Sequence, residues 1–165
     1  MGSVILVLLL VGFIALVIVA VVKQRQERDR LLSEGKIIIR EDGFWDNKES
    51  FKLSGVTIKN LYDKIESIGM TDFHIRSEYQ PNEQRIVFNW NLGVYSSWTG
   101  VLAQTTSAEI NVVELLIVSY STNNSSKPDE GSINGLFTTV EKAILSFDPN
   151  VKITTEYVQR KTSRS

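Results

Sequence analysis

The sequence predicts an α+β domain carried behind a single N-terminal transmembrane helix. Three observations predict it. Residues 3–22 form an unbroken apolar run without a charge. Two later segments, 55–69 and 133–147, repeat their apolar residues at helical spacing. The stretches between and after them alternate apolar with polar residues, the period of a half-buried strand. The expected architecture is an antiparallel sheet of about five strands with two helices on one face.

The first element is the anchor. Of the first 22 residues of the 165-residue chain, 19 are apolar. Ser3 to Val22 would make a helix of about 30 Å, the thickness of the bilayer hydrocarbon. A cleaved signal peptide wants a basic segment ahead of a shorter apolar run and a small-residue cleavage site. No Lys or Arg precedes this run, so it is expected to stay in place. No later stretch approaches 18 uncharged apolar residues, which leaves one span after a two-residue N-terminus.

Lys23, Arg25, Arg28 and Arg30 follow the run directly and are the candidate membrane-flanking residues. The positive-inside rule puts their side in the cytoplasm and the N-terminus outside; a domain on the extracytoplasmic side is the alternative. Residues 23–35 lack Pro and are rich in helix formers. Arg25–Asp29 and Arg30–Glu34 stand four residues apart on this basic stalk, and Gly35 is a suitable C-cap.

The net charge of −1 hides a pattern. Residues 23–40 sum to +3, residues 41–159 to −7, and the tail 160–165 to +3, from Arg160, Lys161 and Arg164. An acidic domain repels phosphate backbones, so nucleic acid is not an expected partner.

The domain is expected over 36–159. Lys36–Glu41 is a β-branched run followed by Asp42-Gly43, a hairpin-type turn pair, and residues 44–53 read as the returning strand. Ile58, Leu61, Tyr62, Ile65 and Ile68 form one helical stripe, started by Ser54 or Thr57 and stopped by Gly69. Thr71–Tyr79 alternates with Phe73, Ile75 and Tyr79 inward. Arg85–Leu92 alternates with Ile86, Phe88, Trp90 and Leu92 inward, and the two make a hairpin. Residues 93–107 hold a third β segment. Ile110–Tyr120 is apolar enough for a central strand covered on both faces, at least in part. Residues 121–132 read as a loop. Ile133 through Phe147 is the second amphipathic helix, stopped by Asp148-Pro149, and 151–158 is the last strand. This order suits a ferredoxin-like split βαβ with added strands, or a secretion-chaperone-like variant, and supports no function by itself. Ile75–Tyr79 and Ile153–Tyr157 share I-x-S/T-E-Y at an offset of 78 residues, each after a helix.

Chemistry is sparse. His74 is the single histidine and there is no cysteine, so disulfides and thiolate catalysis are excluded. Asp129-Glu130 lacks the spacing of a calcium loop, no glycine-rich phosphate loop is present, and Ser96-Ser97 lacks a nucleophile elbow. Glu114, inside an apolar run, is expected at an edge or paired with a lysine. No catalytic, cofactor-binding or metal-binding residue and no small-molecule ligand is assigned. Tyr95, Trp98 and Trp45 are the candidate partner-binding residues, because Trp and Tyr dominate binding hot spots. The expectation is a non-catalytic interaction domain on a single-pass cell-membrane protein, whose partner is another protein or a second copy. An accessory or chaperone-like subunit of a membrane or secretion complex, and a membrane-tethered enzyme, are the alternatives.

Overall fold

A computed structural model describes residues 2–94, 96–107, 110–122 and 128–158. Tyr95 and the basic tail 160–165 lie outside the described residues. The chain divides into two compact units, Met1–Ile38 and Ile39–Ser165.

The first unit is a single helix, α1 (Gly2–Ser33). It is long and apolar enough to cross a membrane. Arg30 bridges Glu27 at 2.6 Å and Glu34 at 2.9 Å, and Lys36 pairs with Glu34 at 2.8 Å. The helix ends at Gly35, whose positive φ of 65° few other residues adopt cheaply. The Lys36 N–H donates to Leu31 O at 2.8 Å and the Gly35 N–H to Leu32 O at 3.0 Å. These are the two bonds of a Schellman cap, so the C-cap expected from the glycine forms.

The second unit is α+β. Its elements are β1 (Asn47–Leu53), α2 (Ile58–Ile68), β2 (Arg76–Gln80), β3 (Arg85–Asn91), β4 (Ser96–Ser107), β5 (Ile110–Thr122), α3 (Glu130–Phe147) and β6 (Ile153–Tyr157). The sheet has six strands, not five, in the order β2-β3-β4-β5-β1-β6. Every neighbouring pair is antiparallel.

Alternation sorts the strand residues. Phe51 and Leu53, Ile86, Phe88 and Trp90, Trp98 and Leu102, and Val113, Leu115 and Ile117 all point to one face. There they meet Ile58, Leu61 and Ile65 of α2 and Ile133, Leu136, Phe137, Val140, Ala143 and Ile144 of α3. One apolar core therefore joins one face of the sheet to both helices. Thr57 starts α2 with a reciprocal capping box through Asn60. Asp129 starts α3 by accepting from the Ser132 N–H at 2.8 Å.

Four expectations are corrected. Lys36–Glu41 is not a strand, because both sides of β1 are already taken, by β5 and β6. β2 begins at Arg76 rather than Thr71; residues 71–73 form a 3₁₀ turn and His74 sits at φ 54°. That turn places Phe73 against α3 at Gly135, where a Cβ would stand 2.5 Å from the ring. Leu92 is exposed rather than inward, since the chain leaves the sheet through the Gly93 turn, closed by the Leu92 N–H donating to Ser96 O at 2.8 Å. β5 is interior to the sheet, but α2 and α3 pack on one of its faces rather than on both.

Candidate functional site

The sheet face away from α2 and α3 carries a row of residues of its own. Register aligns Glu156, Lys48, Leu116, Val101, Val87 and Glu78 side by side across all six strands. The middle three are apolar and half-buried only by one another and their neighbours. Charges flank them. Lys48 bridges Glu114 at 3.0 Å and Glu156 at 3.2 Å. These hydrogen bonds, first that to Glu114 and then that to Glu156, hold the Lys48 ammonium above its ordinary pKa. Glu114 also accepts from Ser50 and Thr105 at 3.3 Å each. The lysine pairing expected for Glu114 is thus formed.

On the helix side lies a strongly perturbed titratable group, Glu49. β1 alternates, and Glu49 falls in phase with Phe51 and Leu53, so it faces inward. Arg40, from the arm before β1, reaches over it. Its Nη1 lies 3.0 Å from Glu49 Oε1 and its Nη2 lies 2.7 Å from Glu141 Oε1 on α3. The guanidinium also stacks 5.6 Å from the Phe44 ring centre and 5.3 Å from that of Phe137. Side-chain exposure is 10% for Arg40, 6% for Glu49 and 14% for Glu141, so the triad is closed to solvent.

One cation thus serves two buried carboxylates. Burial, and then repulsion from Glu141, push Glu49 up to about 8 against the opposing pull of Arg40. Glu49 Oε2 and Arg40 Nε find no hydrogen-bond partner in the protein. The Glu49 carboxyl is therefore held toward its protonated form. A folded-state pKa raised above the unfolded one adds stability that is fully present below about pH 4.5 and is lost as pH rises through about 8. Glu49→Gln keeps the shape and removes the titration. Urea midpoints measured from pH 5 to 9 should fall with pH for the parent chain and stay nearly level for Glu49→Gln. An equal slope in both proteins would remove Glu49 as the source.

The residues singled out in the sequence lie elsewhere. Lys23, Arg25, Arg28 and Arg30 follow one another along α1, all exposed except the half-buried Arg30. Trp45 and Trp98 are core residues, 5% and 2% exposed. Trp45 packs edge-on to Phe44, and Trp98 stacks on Trp90 and donates from Nε1 to Ser132 Oγ at 2.8 Å. His74 is exposed beside its turn. The triad has no local signature, because Arg40 and Glu141 stand 101 positions apart. Its one sequence signal was a glutamate in the apolar phase of β1. Among the described residues no cluster of three or more His, Asp or Glu could hold a metal ion. No protein-family model matches the chain, and no curated protein matches it either.

Proposed function

We propose that this protein is a single-pass membrane protein presenting a non-catalytic protein-interaction domain. The continuous apolar surface of α1 carries the reading: every described side chain from Ile5 to Val22 is exposed. In water such a surface is strongly unfavourable, and in lipid it is matched. Lys23, Arg25 and Arg28 behind it favour a cytoplasmic domain and an outside N-terminus. The domain supports a binding role because the perturbed carboxylate of Glu49 is sealed under Arg40 and out of a substrate's reach. Its open sheet face instead offers Val87, Val101 and Leu116 ringed by charges, the composition of a contact surface. We read the topology as an enlarged split βαβ. β5 and β6 run parallel with β1 between them, and β1 and β2 run parallel around the inserted β3-β4-β5 meander.

The full chain should stay in the membrane pellet through an alkaline carbonate wash. Leu10→Lys with Phe13→Lys, each adding about 3 kcal/mol at the helix centre, should release it to the supernatant. Protease added to intact expressing cells should leave the domain whole. Release of the unsubstituted chain would sink the anchor, and digestion of the domain in intact cells would reverse the orientation.

A further inference from the structure

The two edges of the sheet are not equivalent, and the repeated I-x-S/T-E-Y segment exposes the difference. One copy leads into β2 and the other forms β6, the two opposite edges. At β2 the inner side is covered. Tyr79 stacks on Tyr62 at 5.7 Å, Lys59 lies over both rings, and Ser77 donates to Glu66. At β6 the position 78 residues after Tyr62 is Val140, which is buried in the core. Among the described residues nothing equivalent reaches over the edge, and Tyr157 is 68% exposed. All five β6 residues are exposed, including Ile153 on the same inner side.

The backbone parity of this edge is determined by one bond. The Val158 N–H donates to Asp46 O at 2.8 Å, directly opposite it in the β1–β6 register. Antiparallel strands alternate the direction of their polar groups. Thr154 and Glu156 therefore turn their N–H and C=O toward β1, and Ile153, Thr155 and Tyr157 turn theirs outward. An outward row of three such residues is a template for another strand.

We infer that β6 is a self-association edge, pairing antiparallel with β6 of a second copy about a two-fold axis at Thr155. The segment is complementary to itself in that register. Thr155 meets Thr155 as a hydrogen-bonded pair, and Ile153 meets Tyr157 on both sides of the axis. Aromatic with β-branched is a favourable cross-strand combination. On the outer side Glu156 meets Thr154, so no like charges oppose, and Glu156 stays on its own Lys48. The three outward residues of each copy supply six backbone bonds, and the inner sides of Ile153 and Tyr157 gain apolar neighbours. A seam this short is small for a free soluble dimer. Confinement of both copies to one bilayer supplies effective concentration, and to that extent the inference rests on the proposed anchoring.

The chain has no cysteine, which makes single-cysteine cross-linking unambiguous. Residues opposed as a hydrogen-bonded pair have Cα atoms about 5.5 Å apart, inside the range a disulfide spans. Full-length Thr155→Cys and, on the β2 edge, Glu78→Cys would be placed separately in liposomes and oxidised with copper phenanthroline. Tryptophan fluorescence would verify that each is folded. Thr155→Cys should form disulfide dimer at least tenfold more than Glu78→Cys, which measures random collision. Adding Ile153→Lys and Tyr157→Lys should reduce its yield to the collision level. Equal yields at the two edges, or a Thr155→Cys yield that ignores those lysines, would overturn the self-pairing. In native membranes, capture of Thr155→Cys by a different protein instead of its own copy would also overturn it. A carbonate wash of the same liposomes scores the anchor separately. A chain that is retained but does not cross-link loses the edge alone. A chain that washes off loses the anchor, and its cross-link ratio still decides the edge.

Discussion

Arg40→Met should cost the domain about 3–5 kcal/mol at pH 7–8. Methionine fills much of the same volume against Phe44 and Phe137, so the loss is electrostatic rather than a cavity. It leaves Glu49 and Glu141 buried side by side without their shared cation. Removing one member of a buried ion network strands the others, and that desolvation is not recovered. The loss should grow as pH rises through about 8, where Glu49 gives up its proton in the parent chain. Trp45, Trp90 and Trp98 all lie in the domain, so their fluorescence reports its urea unfolding in the full chain held in detergent. A loss under about 1 kcal/mol at pH 8 would show that the triad does not fasten the arm, the sheet and α3 together.

Phe137→Ala should cost a similar amount, about 3–5 kcal/mol, by a different mechanism. The ring is fully buried, meets Phe44 edge-on at 5.9 Å, and forms part of the floor under the Arg40 guanidinium. Its removal opens a cavity in the core and takes away one of the two aromatic faces that accept the cation. The two substitutions should therefore not add. A double-mutant cycle should give a coupling of about 0.5–2 kcal/mol, as for residues sharing one contact network. Strict additivity would mean that the cation–π contact carries no energy.

Some of this was legible in the residues and some was not. The stripe of Ile58, Leu61 and Ile65 needs only its own spacing to specify a helix face, and Thr57 and Gly69 mark its ends by local bonding. The β2–β3 hairpin is local too, with Tyr79 opposite Ile86. The β-branched run 36–41 reads as a strand because propensity does not register that β1 has no free side. Leu92 keeps the alternation of its segment one residue past the point where the backbone turns away. Trp98 stands in a Gly/Ser/Thr-rich stretch, and only its stack on Trp90 and its bond to Ser132 make it core.

The sequence by itself determined an uncharged N-terminal helix long enough for a bilayer, the basic cluster behind it, the acidic α+β domain and the order of nearly all its elements. Each of these depends on composition or on periodicity within about twenty residues, where the physical cause is local. Tertiary structure alone decided that six strands assemble in the order β2-β3-β4-β5-β1-β6, that Arg40 bridges Glu49 and Glu141, and that β6 forms one edge of the sheet with its five residues exposed. Those outcomes depend on which strands pair across the sheet and which charge is carried into the core beside another. Both are contacts across tens to a hundred positions, and no local pattern in the chain encodes them.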